Sequence, residues 1–266
     1  MNAAVPPRGQ TPALTRPWAL SVVIPACNAT RSLPDTLEHL ARLPGGAPHE
    51  IIIVENGSDD GTWELMEQLQ RDWTAGSRLV VLRSAKGIGA AYRAGVEASQ
   101  GDRVLLTADD LPFGTSDVEA VLACRSLPRF AIGSKAHPRS RVRRTLPRRL
   151  ATRIFRTARL VVLGLDVGDT QGTFVIEGDL ARRLVAGTTI LGFGMTTELV
   201  ALAQRDGAAP VELPVVLQPH PHGPSRINWA TDTTRMMLDL VHLRRRLGSR
   251  RRHHNVIVLP GDTRSA

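Results

Sequence analysis

The chain has 266 residues, 42% hydrophobic and 22% charged, with a formal net charge of +9. That length supports one large domain, or at most two, around a substantial core. The positive balance favours anionic partners, whether phosphates, anionic lipid or nucleic acid. Aromatic content of 4% with a single Tyr excludes a base-stacking platform, so nucleic acid is not the expected partner. Cys27 and Cys124 are the only cysteines and lack metal-ligand spacing, which points to plain thiols in a reducing compartment. No apolar run reaches the roughly 18 residues of a spanning helix. The opening MNAAVPPRGQTPALTRPW has no apolar signal core and reads as a disordered leader over residues 1–18. A cytoplasmic chain is expected, touching a membrane only peripherally.

Leu20 to Ile24 predicts a first strand, closed by Pro25, Ala26, Cys27 and Asn28. Ser32 opens a helix through Leu43 with Pro34 in its first turn. The next stretch, EIIIVENGSDDGT from Glu50 to Thr62, organises the rest. Ile51 to Val54 is a β-branched run suited to a strand covered on both faces, and it ends abruptly in Glu55 and Asn56. Gly57 and Ser58 supply turn chemistry, Asp59 and Asp60 capping groups, and Thr62 to Trp73 a helix. A polar group at the carboxyl end of a buried strand sits where open α/β sheets bind ligands.

Leu79 to Leu82 makes a third strand, followed by SAKGIGAAYRAGVEAS. Lys86, Gly87 and Gly89 precede a helix through Ala98, and small residues there let N–H groups approach a phosphate beside the Lys86 charge. A tight helix-entry turn explains the glycines equally well. Arg103 to Thr107 is the fourth strand, with Asp109 and Asp110 at its end. Adjacent carboxylates repel unless a cation is near, and a hard divalent ion, Mg2+ or Mn2+, bridging them to diphosphate oxygens would supply one. The alternating strands and helices predict a doubly wound, mostly parallel sheet flanked by helices, with Asn28, Glu55, Lys86 and Asp110 on one rim.

At this point the motifs carry a likeness. SVVIPACNA, VENGSDDGT and LLTADDLPFG resemble the opening strand, the VDDGSTDGT turn and the DxD strand of family 2 glycosyltransferases with the GT-A fold. GSK at Gly133 to Lys135, GDTQGTF at Gly168 to Phe174, VELPV at Val211 to Val215 and GPSRI at Gly223 to Ile227 follow in the family's order. The ordered set, over roughly residues 19 to 245, is most similar to the polyprenyl-phosphate hexosyltransferases, the dolichyl-phosphate glucose and mannose synthases and their bacterial relatives. The resemblance implies one α/β domain of the nucleotide-diphospho-sugar transferase type over 19–247, a nucleotide-sugar donor and a divalent metal. It also implies that Glu55 helps hold the base, that Pro25, Ala26 and Asn28 line the nucleoside pocket, and that Asp110, with Asp109 beside it, meets the metal. The chain departs from the pattern where Cys27, Ala29, Ala108 and Thr196 replace the family's Tyr, Glu, Asp and Asp.

Lys135 to Leu165 holds ten Lys or Arg and no acid. At about 100° per residue, Leu150, Ile154, Phe155, Ala158, Val161, Val162 and Leu165 share one face, and Arg148, Arg149, Arg153, Arg156 and Arg159 take the rest. A basic amphipathic helix beside a catalytic domain reads as an element lying on an anionic membrane, or as a core helix with a solvated Arg face; the family likeness favours the membrane. A helix from Thr231 to Leu243 leads into a second basic cluster, Arg244 to His254, and a tail over 248–266. A phosphate acceptor is already ionised and needs no base, whereas a hydroxyl does. Ser134, Lys135, Arg139 and Arg141 are therefore candidates for the acceptor phosphate and Arg226 for phosphates near the sugar. By motif match, Asp169 and Gln171 position sugar or acceptor, with Glu198 a further candidate. The expected reaction moves a hexose to a polyprenyl phosphate; a hydroxyl acceptor, or donor binding without catalysis, remain the alternatives.

Overall fold

The computed structural model describes residues 18–43, 45–124, 126–142, 146–218 and 229–248. Most of the expected leader, Arg226 and the tail beyond 248 lie outside them. The chain runs β1 (Leu20–Ala26), α1 (Leu33–Ala41), β2 (Glu50–Glu55), α2 (Thr62–Asp72), β3 (Arg78–Arg83), α3 (Ile88–Ala98), β4 (Arg103–Leu106) and α4 (Ser116–Leu122). It continues through β5 (Phe130–Ser134), α5 (Leu146–Leu163), β6 (Thr173–Glu177), α6 (Gly178–Ala186), α7 (Gly194–Arg205), β7 (Val211–Pro214) and α8 (Trp229–Leu247). The strands form one sheet in the order β3-β2-β1-β4-β6-β5-β7.

The β-branched runs of β1 and β2 are buried along their whole length because alternate residues face two separate cores. Val23, Ile52 and Val54 pack with α3, α6 and α7, whereas Val22, Ile24, Ile51 and Ile53 pack with α1, α2 and α4. Strands with apolar side chains on both faces need helices on both, which is the doubly wound arrangement the sequence predicts.

The sheet departs from a wholly parallel one at a single strand. β6 runs antiparallel to both β4 and β5, with Leu106 opposite Phe174 and Gly133 opposite Thr173. The start of β6 therefore lies at the same edge as the carboxyl ends of β1, β2, β3 and β4. That reversal carries the Gly168–Gly172 loop onto the rim. Strand order also turns outward at β1, with β2 on one side and β4 on the other. The loops leaving β1 and β4 diverge there and open the crevice in which such sheets hold ligands.

Candidate active site

On the crevice's first wall, the loops after β1 and β2 are joined by hydrogen bonds between residues about thirty positions apart. The Asn28 N–H donates to Ser58 Oγ at 3.0 Å and the Asp59 N–H to Asn28 Oδ1 at 2.8 Å. The Ala29 N–H donates to Thr62 Oγ1 at 2.8 Å, and the Thr30 hydroxyl to Asp60 Oδ2 at 2.8 Å. Glu55 Oε1 accepts the N–H groups of Gly57 and Ser58, each at 2.6 Å. Burial by itself would raise the Glu55 carboxyl, but those two N–H donors, the Ser58 hydroxyl and Arg83 outweigh it and hold it below the ordinary value. Its other oxygen, Oε2, faces Arg83 Nε at 3.9 Å. The Arg83 guanidinium lies 4.0 Å from the centre of the Trp63 ring, a cation–π stack at the end of β3 that the sequence reading passed over.

Across the crevice, Asp109 and Asp110 leave β4 half-buried. Asp109 Oδ2 accepts the Ser32 hydroxyl at 2.6 Å and its carbonyl accepts Thr36 Oγ1 at 2.5 Å, which ties this wall to α1. The Tyr92 phenol is driven far above its ordinary value by burial and then by the charges of Asp109 and Asp110. The two non-glycine residues with positive φ among those described, Asn28 at 54° and Leu111 at 42°, flank this crevice. Such backbone is uncommon and persists where the surroundings over-determine it, often at ligand sites.

The helix-entry turn at Lys86 differs from an anion cradle. The N–H groups of Gly89 and Ala90 donate to the Leu191 carbonyl at 2.8 and 3.3 Å. A Cβ at Gly87, whose φ is +126°, would collide with that same carbonyl. The glycines at 87 and 89 thus admit the 190–191 segment, and the turn's donors are engaged by protein. Lys86 lies over Gly57, so its stem closes the first wall rather than the helix end.

The third corner is built from side chains. Asp169 Oδ2 accepts the Lys135 N–H at 3.0 Å and pairs with Lys135 Nζ at 3.4 Å, while Oδ1 accepts the Gln171 N–H at 2.8 Å. Lys135 Nζ also donates to the Gln171 carbonyl at 2.5 Å. Gln171 Nε2 donates to Thr196 Oγ1 at 2.7 Å, and Thr196 donates to the Phe193 carbonyl at 3.0 Å. Arg139 and Arg141 are exposed on the loop leaving β5, where Arg141 bridges to Val216.

Four expectations are corrected at this corner. Ser134 is fully buried, donating to Glu212 Oε1 at 2.5 Å and accepting the Ala136 N–H at 3.1 Å, so its hydroxyl meets no acceptor phosphate. Glu198 is equally buried. Its oxygens accept the N–H groups of Thr189 and Ile190 and the guanidinium of Arg246, which makes it an internal strut between α7, α8 and the 187–191 segment. Arg246, placed by sequence in a basic surface cluster, is the other half of that strut. Arg159, expected on the solvated face of its helix, is 2% exposed and donates to Thr170 Oγ1 at 2.5 Å and to the Val167 carbonyl at 2.6 Å. Glu212 is the residue of this corner that sequence reasoning missed; the signal was a charged residue inside an otherwise apolar strand, VELPV.

Residues 21–176 match the family described as Glycosyl transferase family 2. The chain belongs to that family. It is 27% identical over 229 residues to a polyprenol monophosphomannose synthase of Mycolicibacterium smegmatis, covering 83% of this chain and 85% of that protein. It is 30% identical over 125 residues to a dolichyl-phosphate beta-glucosyltransferase of Mus musculus, covering 42% and 39% of the two chains. In fold it is similar to glucosyl-3-phosphoglycerate synthase of Mycobacterium tuberculosis crystallised with uridine diphosphate, with a TM-score of 0.61, 19% identity, and 91% and 86% of the two chains covered. The same enzyme with Mn2+, uridine diphosphate and phosphoglyceric acid aligns with a TM-score of 0.60 at 18% identity, over 85% and 78% of the chains. The fold is therefore that of the GT-A glycosyltransferases.

For a family 2 glycosyltransferase, the donor set suits a metal that arrives with its ligand. Among the described residues no three His, Cys, Asp or Glu group to hold a metal ion. The adjacent carboxylates Asp109 and Asp110, the former already accepting Ser32, are what the chain offers. A small hard cation fits such a site, because it takes one or two carboxylates and completes its shell with phosphate oxygens and water.

Proposed function

We propose that this family 2 glycosyltransferase moves a hexose, with inversion, from a UDP- or GDP-sugar to a polyprenyl phosphate at an anionic membrane surface. One observation carries the reading: the carboxylates nearest the acceptor corner are engaged. Asp169 accepts the backbone N–H groups of Lys135 and Gln171 and pairs with the Lys135 ammonium, and Glu198 is buried in its strut. The position where a further acid is expected holds Thr196, a neutral hydroxyl already bonded at both ends. A hydroxyl acceptor would need a base in that corner; a phosphate monoester is ionised and needs none. The two relatives act, by name, on polyprenol and dolichyl phosphates.

In this scheme an acceptor phosphate oxygen attacks the anomeric carbon from the face opposite the leaving group. The carbon–oxygen bond to the nucleoside diphosphate breaks, and no proton changes hands. Lys135, Arg139 and Arg141 gather the incoming phosphate, with Lys135 aimed by Asp169. Arg226 joins the donor phosphates in this scheme. Asn28, Glu55 and Ser58 shape the nucleoside wall, and Lys86 screens the diphosphate. A divalent ion held by Asp110 would neutralise the charge that develops on the leaving diphosphate. Cations are what the site must contribute, because both reactants are anions.

The membrane part of the proposal rests on α5 and α8, which pack on one another. Val161 is 75% and Ile154 56% exposed on α5, beside exposed Arg153 and Arg156, and Leu238 is 64% exposed on α8 near Arg244 and Arg245. Arg156 meets Asp166 at 3.0 Å, so one charge of the cluster is partly balanced from just beyond the acid-free window. Exposed aliphatic side chains among arginines suit a headgroup interface. Among the described residues no helix is long and apolar enough to cross a membrane.

The test is incubation with labelled UDP- and GDP-hexoses, polyprenyl phosphate and Mg2+ or Mn2+, followed by organic extraction. Label in the organic phase is expected. Label only on a water-soluble hydroxyl compound would replace the acceptor, and donor binding without any transfer would make the protein a non-catalytic member of the family.

A further inference from the structure

Helix α5 presents two unlike faces. Outward it shows Ile154, Leu160 and Val161; inward it drives one guanidinium, Arg159, into the protein. Nη1 donates to Thr170 Oγ1 at 2.5 Å, and Nη2 to the carbonyls of Val167 at 2.6 Å and Gly168 at 3.3 Å. The group stacks over Phe155 with 5.2 Å to the ring centre. Burial lowers its pKa to about 10, opposed by the charges of Asp169 and Glu212, so the guanidinium stays protonated at neutral pH.

Glu212 holds the same loop from the other side. Its oxygens accept the N–H groups of Gly168 at 2.9 Å and Asp169 at 3.1 Å, and the Ser134 hydroxyl at 2.5 Å. The loop's carbonyls thus face a buried cation and its N–H groups a buried anion. α5 ends at Gly164, whose φ of +70° turns the chain back beneath the helix, with the Gly164 N–H donating to Leu160 at 2.9 Å. Nothing in a folded core needs two buried charges on a short loop, since apolar side chains fill space at lower cost. What these charges do is fix the backbone whose next groups, Asp169 and Gln171, aim Lys135.

We propose that Arg159 and Glu212 are positioning residues for the acceptor corner, clamping residues 167–170 so that α5 and the Lys135–Asp169 pair form one unit. The kinetic arm rests on the reading of the acceptor as a polyprenyl phosphate and asks whether the outward face of α5 is registered to Lys135, the cation proposed to meet the lipid's phosphate.

The experiment compares wild type with R159M, R159K and E212Q in the full chain. In R159M and E212Q the KM for polyprenyl phosphate in vesicles should rise about tenfold or more while the Kd for UDP or GDP with Mn2+ stays within about twofold. R159K restores the charge without the three-way fork and should fall between. Amide exchange at residues 168–171 should quicken about tenfold in R159M while Ile51 to Val54 keep their protection. Should R159M fail to fold, E212Q and R159K give the same readouts. Unchanged protection at 168–171, or donor and acceptor constants worsening together, would overturn the clamp. A wild-type protein that transfers nothing to polyprenyl phosphate overturns the acceptor instead, and amide exchange still decides the clamp.

Discussion

The two walls of the crevice are stabilised by different means. The wall proposed for the donor is made of loops leaving adjacent parallel strands, and backbone N–H groups do most of the holding, as where Gly57 and Ser58 grip Glu55. The corner proposed for the acceptor is held by side-chain pairs with at least one buried member: Ser134 with Glu212, Arg159 with Thr170, Glu198 with Arg246. On the first wall the Glu55 carboxylate is held by the backbone of its own loop and stays at the crevice rim. At the other corner the carboxylates are the scaffold, with Asp169 holding Lys135 in place. Replacing an acid should therefore cost activity on one wall and stability on the other.

The largest expected effect tests the donor half of that contrast. Asp110→Ala should reduce kcat by about a thousandfold, equivalent to about 4 kcal/mol of charge stabilisation on the leaving diphosphate. The thermal midpoint should move by no more than about 2 °C, because Asp110 lies half-exposed at a strand end. Turnover measured against Mg2+ and Mn2+ concentration, alongside a melting curve, checks both parts. A variant with wild-type turnover would remove the metal from Asp110, and one that melts early would put this acid in the scaffold class.

Glu198→Ala is the matching cut on the other wall. It strips two backbone N–H groups of their acceptor and leaves the Arg246 guanidinium beside an apolar stub, costing about 3 kcal/mol. Since Arg246 is partly exposed, water recovers some of that loss. For a chain of this size the midpoint should fall by about 6–12 °C. With protein that remains folded, donor and acceptor constants should stay near wild type. A stable variant with kcat collapsed would return Glu198 to catalysis.

The contrast also explains what the sequence made legible. Four short apolar strands, followed in turn by Asn28, Glu55, Lys86 and the Asp109–Asp110 pair, announce a parallel sheet and its rim. The rim placement of Asn28, Glu55 and Asp110 was readable because it follows from strand ends, a local property. Glu198 was not, because a helix residue's role depends on what packs against that face, and its partner Arg246 is 48 positions away. Arg159 falls at the border of an apolar stripe, where helical periodicity gives no direction. The antiparallel entry of β6 was also invisible: VELPV and GDTQGTF have the same composition whichever way their strands run. At Lys86, Gly87 and Gly89 the sequence leaves a phosphate turn and a tight helix entry equally open, and the structure shows the tight entry at the glycines. A glycine-rich helix start looks the same for a phosphate and for the Leu191 carbonyl that is actually there.

The smallest effect probes the donor wall's own acid through pH. Glu55 has a folded-state pKa held below its ordinary 4.5, against the pull of burial, by the Ser58 and Gly57 N–H groups. A depressed carboxyl contributes stability that is fully present above the unfolded value and is lost as pH falls through the folded one. Glu55→Gln keeps an oxygen for Gly57 and Ser58 but removes the charge, so the variant should be less stable at neutral pH by about 1 kcal/mol. Urea unfolding of both proteins from about pH 7 down to about pH 3 should show that gap closing only below 4.5, as the wild-type carboxyl takes up its proton. A gap that persists unchanged into acid would mean the side chain acts through shape alone. The comparison between walls would then have to be drawn without a charged anchor on the donor side.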